Sequence, residues 1–532
     1  MMAKTSAELL ADGNGHYLRG SLEAARECYS ECLRMGEYPV ACDCAVNLGS
    51  VELDLSNDQF RAEILYRLAI DSVKRGSWAL DDETFDERTV LSEELTHVDG
   101  AHNLASLLQS QAYQATDANE RRSLLFQAAK LYKSVVTSEP SRWDAWANLG
   151  SAMLDSNAPY LDCARCLQRG IVGAETLEKR LEASEDRQGL ATVRSALATA
   201  YYGFGDALSK LLDDSVHENM LLAAVQDDDL ILLQRLKENS PSLDDSSSSS
   251  FSTDRVEEAR SVIIESAANA FRTAIYLQPE ATTDSNLKAK AAHALDALSG
   301  DTETTRASAT FVKALFDDFA STFDDQLVDG LEYRVPKLIG ERLDKTYEAV
   351  LDAGCGTGLF GVELRKKNKD AKLLGIDLSE NMCQVAREKT LEGDDEKLVY
   401  DAVLVGDLCD DAIFEAARKK NIKGHFDLVA AADVFCYLGD LEPVLSRFFN
   451  ALKTNGETIF TVETLVDARQ DQSWKLQRNG RYAHDPAYVE HLATSLGFRC
   501  DAMDDVVARL EQGIPVASTL FRLTKTNDDK GP

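Results

Sequence analysis

The sequence has no apolar run that approaches the length of a membrane span, and it is short of basic charge. A span needs about 20 consecutive apolar residues, so no membrane segment is expected. Lys and Arg number 57 against 90 Asp and Glu, a net charge of −33. So acidic a surface repels phosphate backbones, and its cations are not interleaved with aromatics, so direct nucleic-acid binding is not expected either. The eight histidines do not cluster at ligand spacing, which argues against a metal centre. Met1 to Ser6 lacks the apolar stretch of a secretory leader. Most of the eleven cysteines sit inside apolar patterns. Cys42-x-Cys44 and Cys163-x-x-Cys166 have no second pair at zinc spacing, so they are expected as buried thiols in a reducing compartment. The expected address is cytoplasmic, with the nucleus left open.

What the chain does have is length and two kinds of periodicity. Its 532 residues exceed what one core usually organises, so more than one domain is expected. Over residues 1–300 the apolar, small and proline positions recur at helical spacing. The clearest register runs Ala128, Tyr132, Val135, Pro140, then Trp146, Leu149, Gly150 and Met153. Gly13-Asn14, Tyr17, Gly20, Ala25 and Tyr29 repeat it, as do Leu48-Gly49, Ala62, Tyr66 and Ala69. Tyr201, Gly205 and Leu208 open a further unit that resumes at Ala267, Phe271 and Ala274. The intervening insertion contains Asp244-Asp245 and Ser246 to Ser250, and residues 238–255 are expected to be disordered. This region resembles the tetratricopeptide superfamily. The resemblance implies an all-α repeat stack that binds a protein or peptide partner. Asn14 and Asn47 stand where that family's clamp asparagines would, but Leu10 replaces a clamp lysine, so the asparagines are read as local hydrogen-bonding groups.

Near residues 300–308 the pattern changes to short apolar strands alternating with helices, as in a parallel α/β sheet. The strand Ala349-Val350-Leu351 runs into Asp352-Ala353-Gly354-Cys355-Gly356-Thr357-Gly358. A nicotinamide-cofactor loop would read G-x-G-x-x-G, but Leu359 occupies its third glycine, and no P-loop is present. Asp377 closes a second strand and is followed by Leu378 and Met382; Asp407-Leu408 closes a third and Asp433 a fourth. Carboxylates at successive strand ends suit a ligand bound at the C-terminal edge of such a sheet.

Residues 305–525 thus resemble the class I S-adenosylmethionine-dependent methyltransferases, and more narrowly the tetratricopeptide-containing ones. The flanking signals are Phe316-Asp317-x-Phe319, Tyr333-Arg334, Gly480-Arg481-Tyr482-Ala483-His484 and Arg509-Leu510-Glu511. The resemblance implies a Rossmann-like domain with a seven-stranded sheet of order 3-2-1-4-5-7-6. It implies a cofactor site of Asp352, Gly354, Gly356, Gly358, Asp377, Leu378, Met382, Asp407, Leu408 and Asp433. In that site Asp377 accepts from the ribose hydroxyls and Asp407 from the adenine amino group. Tyr437, Glu463, Arg481, Tyr482 and His484 are the candidates for acceptor contact, with His484 and Tyr482 the candidate catalytic residues. Phe316, Phe319 and Phe323 share one helical face and form either a lid or a core stripe. The acceptor is expected to be a protein brought by the repeats, with a small molecule as the alternative, and a non-catalytic cofactor-binding scaffold as the third reading. A fragment beginning near Ala307 is expected to keep the fold and the cofactor site.

Overall fold

The computed structural model describes residues 4–75, 97–212, 253–278, 285–299, 304–320, 323–325, 332–391, 394–420, 424–466, 472–511 and 514–526. They form two compact units, Met1–Ala115 with Asn119–Ser266, and Ala267–Pro532 with Thr116–Ala118. None of the described helices is long and apolar enough to cross a membrane.

The first unit is helical. Nine described helices run from Ser6–Leu18 to Arg187–Lys210, and Thr253–Leu277 begins in this unit. Thr5 starts the first helix with a capping box, its hydroxyl accepting from the Glu8 N–H while the Glu8 carboxylate accepts from its own. Small residues let paired helices touch. A Cβ on Gly13 would lie 2.5 Å from the Tyr29 ring, and one on Gly49 would lie 2.7 Å from Tyr66. The same tyrosines hydrogen-bond across the pair, Tyr29 to Asn14 at 2.8 Å and Tyr66 with Ser50 at 3.2 Å. Asn47 also donates to Asn14, at 3.0 Å, so both asparagines have local partners. Cys44 is joined to Cys32 as a disulfide, which corrects the expectation of thiols at that position. Cys163 and Cys166 remain thiols, pushed up to about 12 and about 11 by burial. The tract expected to be disordered lies outside the described residues up to 252, and Thr253–Leu277 takes in its last three residues as helix.

Among the described residues the second unit holds a mixed sheet of nine strands, two more than expected. Its main path is β10 (Phe498–Glu511), β11 (Ile514–Lys525), β7 (Leu452–Thr464), β6 (Phe426–Ala431), β1 (Ala349–Ala353), β2 (Lys372–Asp377) and β5 (Ala402–Val405). That path has the expected order, and β11 runs antiparallel to β7. The additional strands are β8 (Trp474–Leu476) and β9 (Tyr482–His484), which pair with each other, while β9 adds parallel to β7. The turn between them closes on Gly480, whose φ of +80° lies in the left-handed region. Strands of three residues carry too little alternation to be read from a sequence. A separate hairpin pairs β3 (Thr390–Leu391) with β4 (Asp394–Leu398). β1 and β6 are buried at every position, as central strands covered on both faces must be.

This unit begins well before the sheet. The helix Ser285–Ser299 belongs to it, with His293 stacked on Phe311 at 3.9 Å and bonded through Nε2 to the Gly480 carbonyl at 2.7 Å. Residues 305–307 then pair with the 437–440 loop. Gly439 and Asp440 donate to the Thr305 carbonyl, and Ala307 donates to that of Tyr437.

Candidate active site

The glycine loop leaves β1 and turns back on β2. The N–H groups of Gly354 and Cys355 both donate to the Ile376 carbonyl, at 2.7 and 2.9 Å. Gly354 has φ +79°, and any Cβ there would collide with Val434. Gly356 has φ +51°, but a Cβ there would meet nothing within 4 Å. The loop is therefore packed on one side and open on the other. Asp377 fixes it, accepting from the Gly356 N–H at 2.8 Å and from the Ser379 N–H at 2.9 Å. Burial raises the Asp377 carboxyl, and those N–H bonds oppose the rise. A carboxylate has about four acceptor positions, so Asp377 can still take a further donor. Ser379 caps the next helix through the Met382 N–H, which buries Met382 at its base. Leu378 is half-buried and Leu408 is buried. Asp407 accepts from the Cys409 N–H at 2.8 Å and, as the sequence did not suggest, from Arg306 at 2.6 and 3.3 Å.

The helix Ala309–Phe319 and the turn Phe323–Asp325 are tied to the same loops. The Ser379 hydroxyl donates to Asp317 at 2.5 Å and Asn381 to the Asp317 carbonyl at 3.2 Å. Asp324 accepts from Thr357 and from Lys389. Phe316 meets Phe323 edge-on at 6.1 Å and Tyr437 at 5.5 Å. The Phe319 side chain lies outside the described residues. Two carboxylates thus tie this segment to the glycine loop and to the Asp377 turn.

At the other side, Asp433 follows β6 with φ +57° and belongs to a buried charge cluster. Arg509 is 2% exposed and donates to Asp433 at 2.6 Å, to Glu463 at 2.5 Å and to Glu511 at 2.9 Å. Arg481 pairs with Glu511 and stands 3.8 Å from Glu463, which also accepts from Gln477 at 2.9 Å. Burial alone would disfavour the Arg509 cation, but Asp433 and Glu463 outweigh that and raise it. Arg509 was quoted in the sequence only as part of a flanking motif; its donors close the cluster.

His484 and Tyr482 are fully buried in β9. His484 Nε2 meets the Gly439 carbonyl at 3.0 Å, and the Tyr482 hydroxyl donates to the Thr304 carbonyl at 3.0 Å. Burial lowers His484 to about 4, so it is neutral at pH 7. Both side chains bond to backbone carbonyls, and His484 Nδ1 is buried with no partner among the described residues.

Asp352 has no exposed surface. One oxygen accepts from the Tyr400 hydroxyl at 2.6 Å, and the other has no partner among the described residues. Burial pushes its carboxyl up to about 7. An acid raised in the folded state stabilises fully below its unfolded value near 4, and that contribution is lost as pH rises through about 7. The ligand-free protein should therefore lose stability between pH 4 and 7, and Asp352→Asn should flatten that slope. Thermal melts of both proteins across this range check it; parallel slopes would remove Asp352 as the cause.

The structure thus offers an open glycine cradle, a buried carboxylate oxygen without a partner and acids at four strand ends. Residues 351–458 match the model of the methyltransferase domain family. Among curated proteins, the biotin biosynthesis bifunctional protein BioHC of Saccharophagus degradans is 28% identical over 181 residues, 33% of this chain and 29% of that protein. The malonyl-[acyl-carrier protein] O-methyltransferase of Laribacter hongkongensis is 30% identical over 166 residues, 30% of this chain and 53% of its own length. The carboxy-S-adenosyl-L-methionine synthase of Wolinella succinogenes is 27% identical over 222 residues, 38% of this chain and 86% of its own. The chain therefore spans about half or less of the first two relatives.

Proposed function

We propose that this chain, which carries an S-adenosylmethionine-dependent methyltransferase domain, moves the cofactor's methyl group to an acceptor recruited by its helical unit. The observation that carries this is Asp377 holding the Gly356 N–H at 2.8 Å while the space beside Gly356 stays open. These residues fit the cofactor: the open cradle takes its backbone-facing edge, and Asp377 takes the ribose hydroxyls. Leu378, Met382 and Leu408 line the adenine end beside Asp407, and Asp352 and Asp433 face the cationic end. When bound, S-adenosylmethionine supplies an electrophilic methyl on a positively charged sulfur. The protein's work is to hold the acceptor in line and exclude water, and such positioning contributes up to roughly 7–11 kcal/mol in favourable cases. The Ala309–Phe319 cover serves the exclusion. Tyr482 Oη and His484 Nε2 are used on backbone carbonyls and only His484 Nδ1 is left without a partner, so we assign no side chain as base.

The paired helices of the first unit, with glycine packed against tyrosine in two successive pairs, support reading it as tetratricopeptide-like repeats and its ligand as a protein. A second reading, a small-molecule acceptor with the helices serving assembly, is favoured by relatives named as malonyl-[acyl-carrier protein] and magnesium-protoporphyrin O-methyltransferases. Titration calorimetry should show binding of S-adenosylmethionine and S-adenosylhomocysteine but not NAD. Binding of NAD alone would sink the cofactor assignment. Radiolabelled S-adenosylmethionine with a cell lysate, followed by separation of protein from small-molecule counts, then decides between the acceptors.

A further inference from the structure

The family match begins at residue 351, yet one wall of the strand-end site comes from 45 residues earlier, where Arg306 precedes it in the chain. Arg306 lies on the strap of residues 305–307. Main-chain bonds fix it on both sides, Gly439 and Asp440 to the Thr305 carbonyl and Ala307 to the Tyr437 carbonyl. Arg306 itself bridges Leu438 as an isolated β-pair. The strap is held in turn from below, by the Tyr482 hydroxyl on Thr304 and by His484 on Gly439. With its backbone so restrained, the guanidinium reaches Asp407 with both terminal nitrogens, at 2.6 and 3.3 Å. A planar fork on a carboxylate sets both the charge and the plane of that carboxylate. Asp407 is the strand-end acid beside Leu408, at the adenine end of the proposed site. Its Oδ1 already takes the Cys409 N–H, so the fork and that N–H together leave few orientations for the remaining lone pairs.

We propose that Arg306 is a positioning residue for the cofactor, acting through Asp407 to hold its carboxylate aimed at the adenine amino group. This rests on the methyltransferase reading above. It adds a residue that neither the glycine loop nor the strand-end acids would reveal, because an arginine in a polar segment before the sheet carries no pattern. The geometry also explains why the two polar side chains of β9, Tyr482 and His484, bond to main-chain carbonyls. They fix the strap, and the strap fixes Arg306.

The test is calorimetric binding of S-adenosylhomocysteine to the full chain and to Arg306→Ala, Asp407→Ala and the double variant, with Arg306→Lys as the conservative control. Arg306→Ala should raise the dissociation constant about five- to tenfold. In the Asp407→Ala background the same change should cost almost nothing, since its target is gone. Arg306→Lys, with charge but no fork, should recover part of the loss. A dissociation constant unchanged within twofold in Arg306→Ala would overturn the proposal. So would tighter binding, which would make Arg306 an obstruction, and so would equal losses in both backgrounds, which would make its role independent of Asp407. If the unmodified chain binds no S-adenosylhomocysteine, the cofactor reading itself fails, a result distinct from these. Thermal melts of each variant separate binding losses from unfolding.

Discussion

Asp377→Ala should weaken S-adenosylhomocysteine binding by at least about tenfold and by as much as ~100-fold, since hydrogen bonds to charged groups contribute about 1.5–3 kcal/mol each. The carboxylate has two tasks. In the ligand-free protein it holds the Gly356 and Ser379 N–H groups, which shape the glycine loop and start the next helix. In the proposed complex its remaining lone pairs accept from the ribose. Removing it costs the direct bonds and also releases the loop that forms the cradle. Asp377→Asn keeps one acceptor oxygen without the charge and should fall between. Calorimetry gives the affinities, and an unchanged dissociation constant in Asp377→Ala would remove this residue from the site.

The second large effect concerns where the catalytic unit can be cut. A fragment starting at Ala307 keeps every glycine-loop and strand-end residue, and the sequence suggests that it folds. The structure shows which contacts such a cut removes. Such a fragment loses the His293 bond to Gly480, its stacking on Phe311, the Tyr482 bond to Thr304, both bonds to the Thr305 carbonyl and the Arg306–Asp407 pair. At about 0.5–1.5 kcal/mol per net hydrogen bond, with an aromatic pair of similar size, the loss is roughly 4–6 kcal/mol. For a unit of this size that is on the order of 10–20 °C in melting temperature. A fragment starting at Ala267 should melt near the value of the catalytic unit in the full chain, and the Ala307 fragment should melt far lower or precipitate. Equal melting of the two fragments would show that the helix Ser285–Ser299 and the strap add nothing.

Much of the catalytic unit was legible because its signals are local. The Gly354, Gly356 and Gly358 spacing, Asp377 and Asp407 each sit at the end of an apolar strand, and strand order followed from the resemblance they carry. Asp377 stands where its motif places it, against the Gly356 N–H. The parts that stayed hidden depend on contacts distant in sequence. Arg306 meets a carboxylate 101 residues away, and Tyr482 meets a carbonyl 178 residues away. Neither has periodicity or a motif to announce it. β8 and β9 are too short for alternation to show, so residues 474–484 offered only Arg481, Tyr482 and His484 as candidates for chemistry. Burial settled their surroundings, and burial is not visible in the residue names. In the helical unit the glycine and tyrosine positions were readable because helix pairs need small residues opposite large ones, whereas the Cys32–Cys44 pairing joins different helices and leaves no spacing signature.

The long reach of His293 also sets a clock on the newly made chain. Its partner Gly480 lies 187 residues further on. At a synthesis rate of about 5–20 residues per second, roughly 10–40 s pass after His293 is made before its acceptor exists. Until the chain passes β9, Ala297 lacks the Leu476 and Tyr482 side chains with which it is buried in the finished protein. The helical unit, complete in sequence by Ser266, can form meanwhile, but the start of the catalytic unit must wait for nearly its end. Nascent chains stalled between residues 300 and 480 should therefore expose this helix to holdase chaperones, and chains released beyond β9 should not.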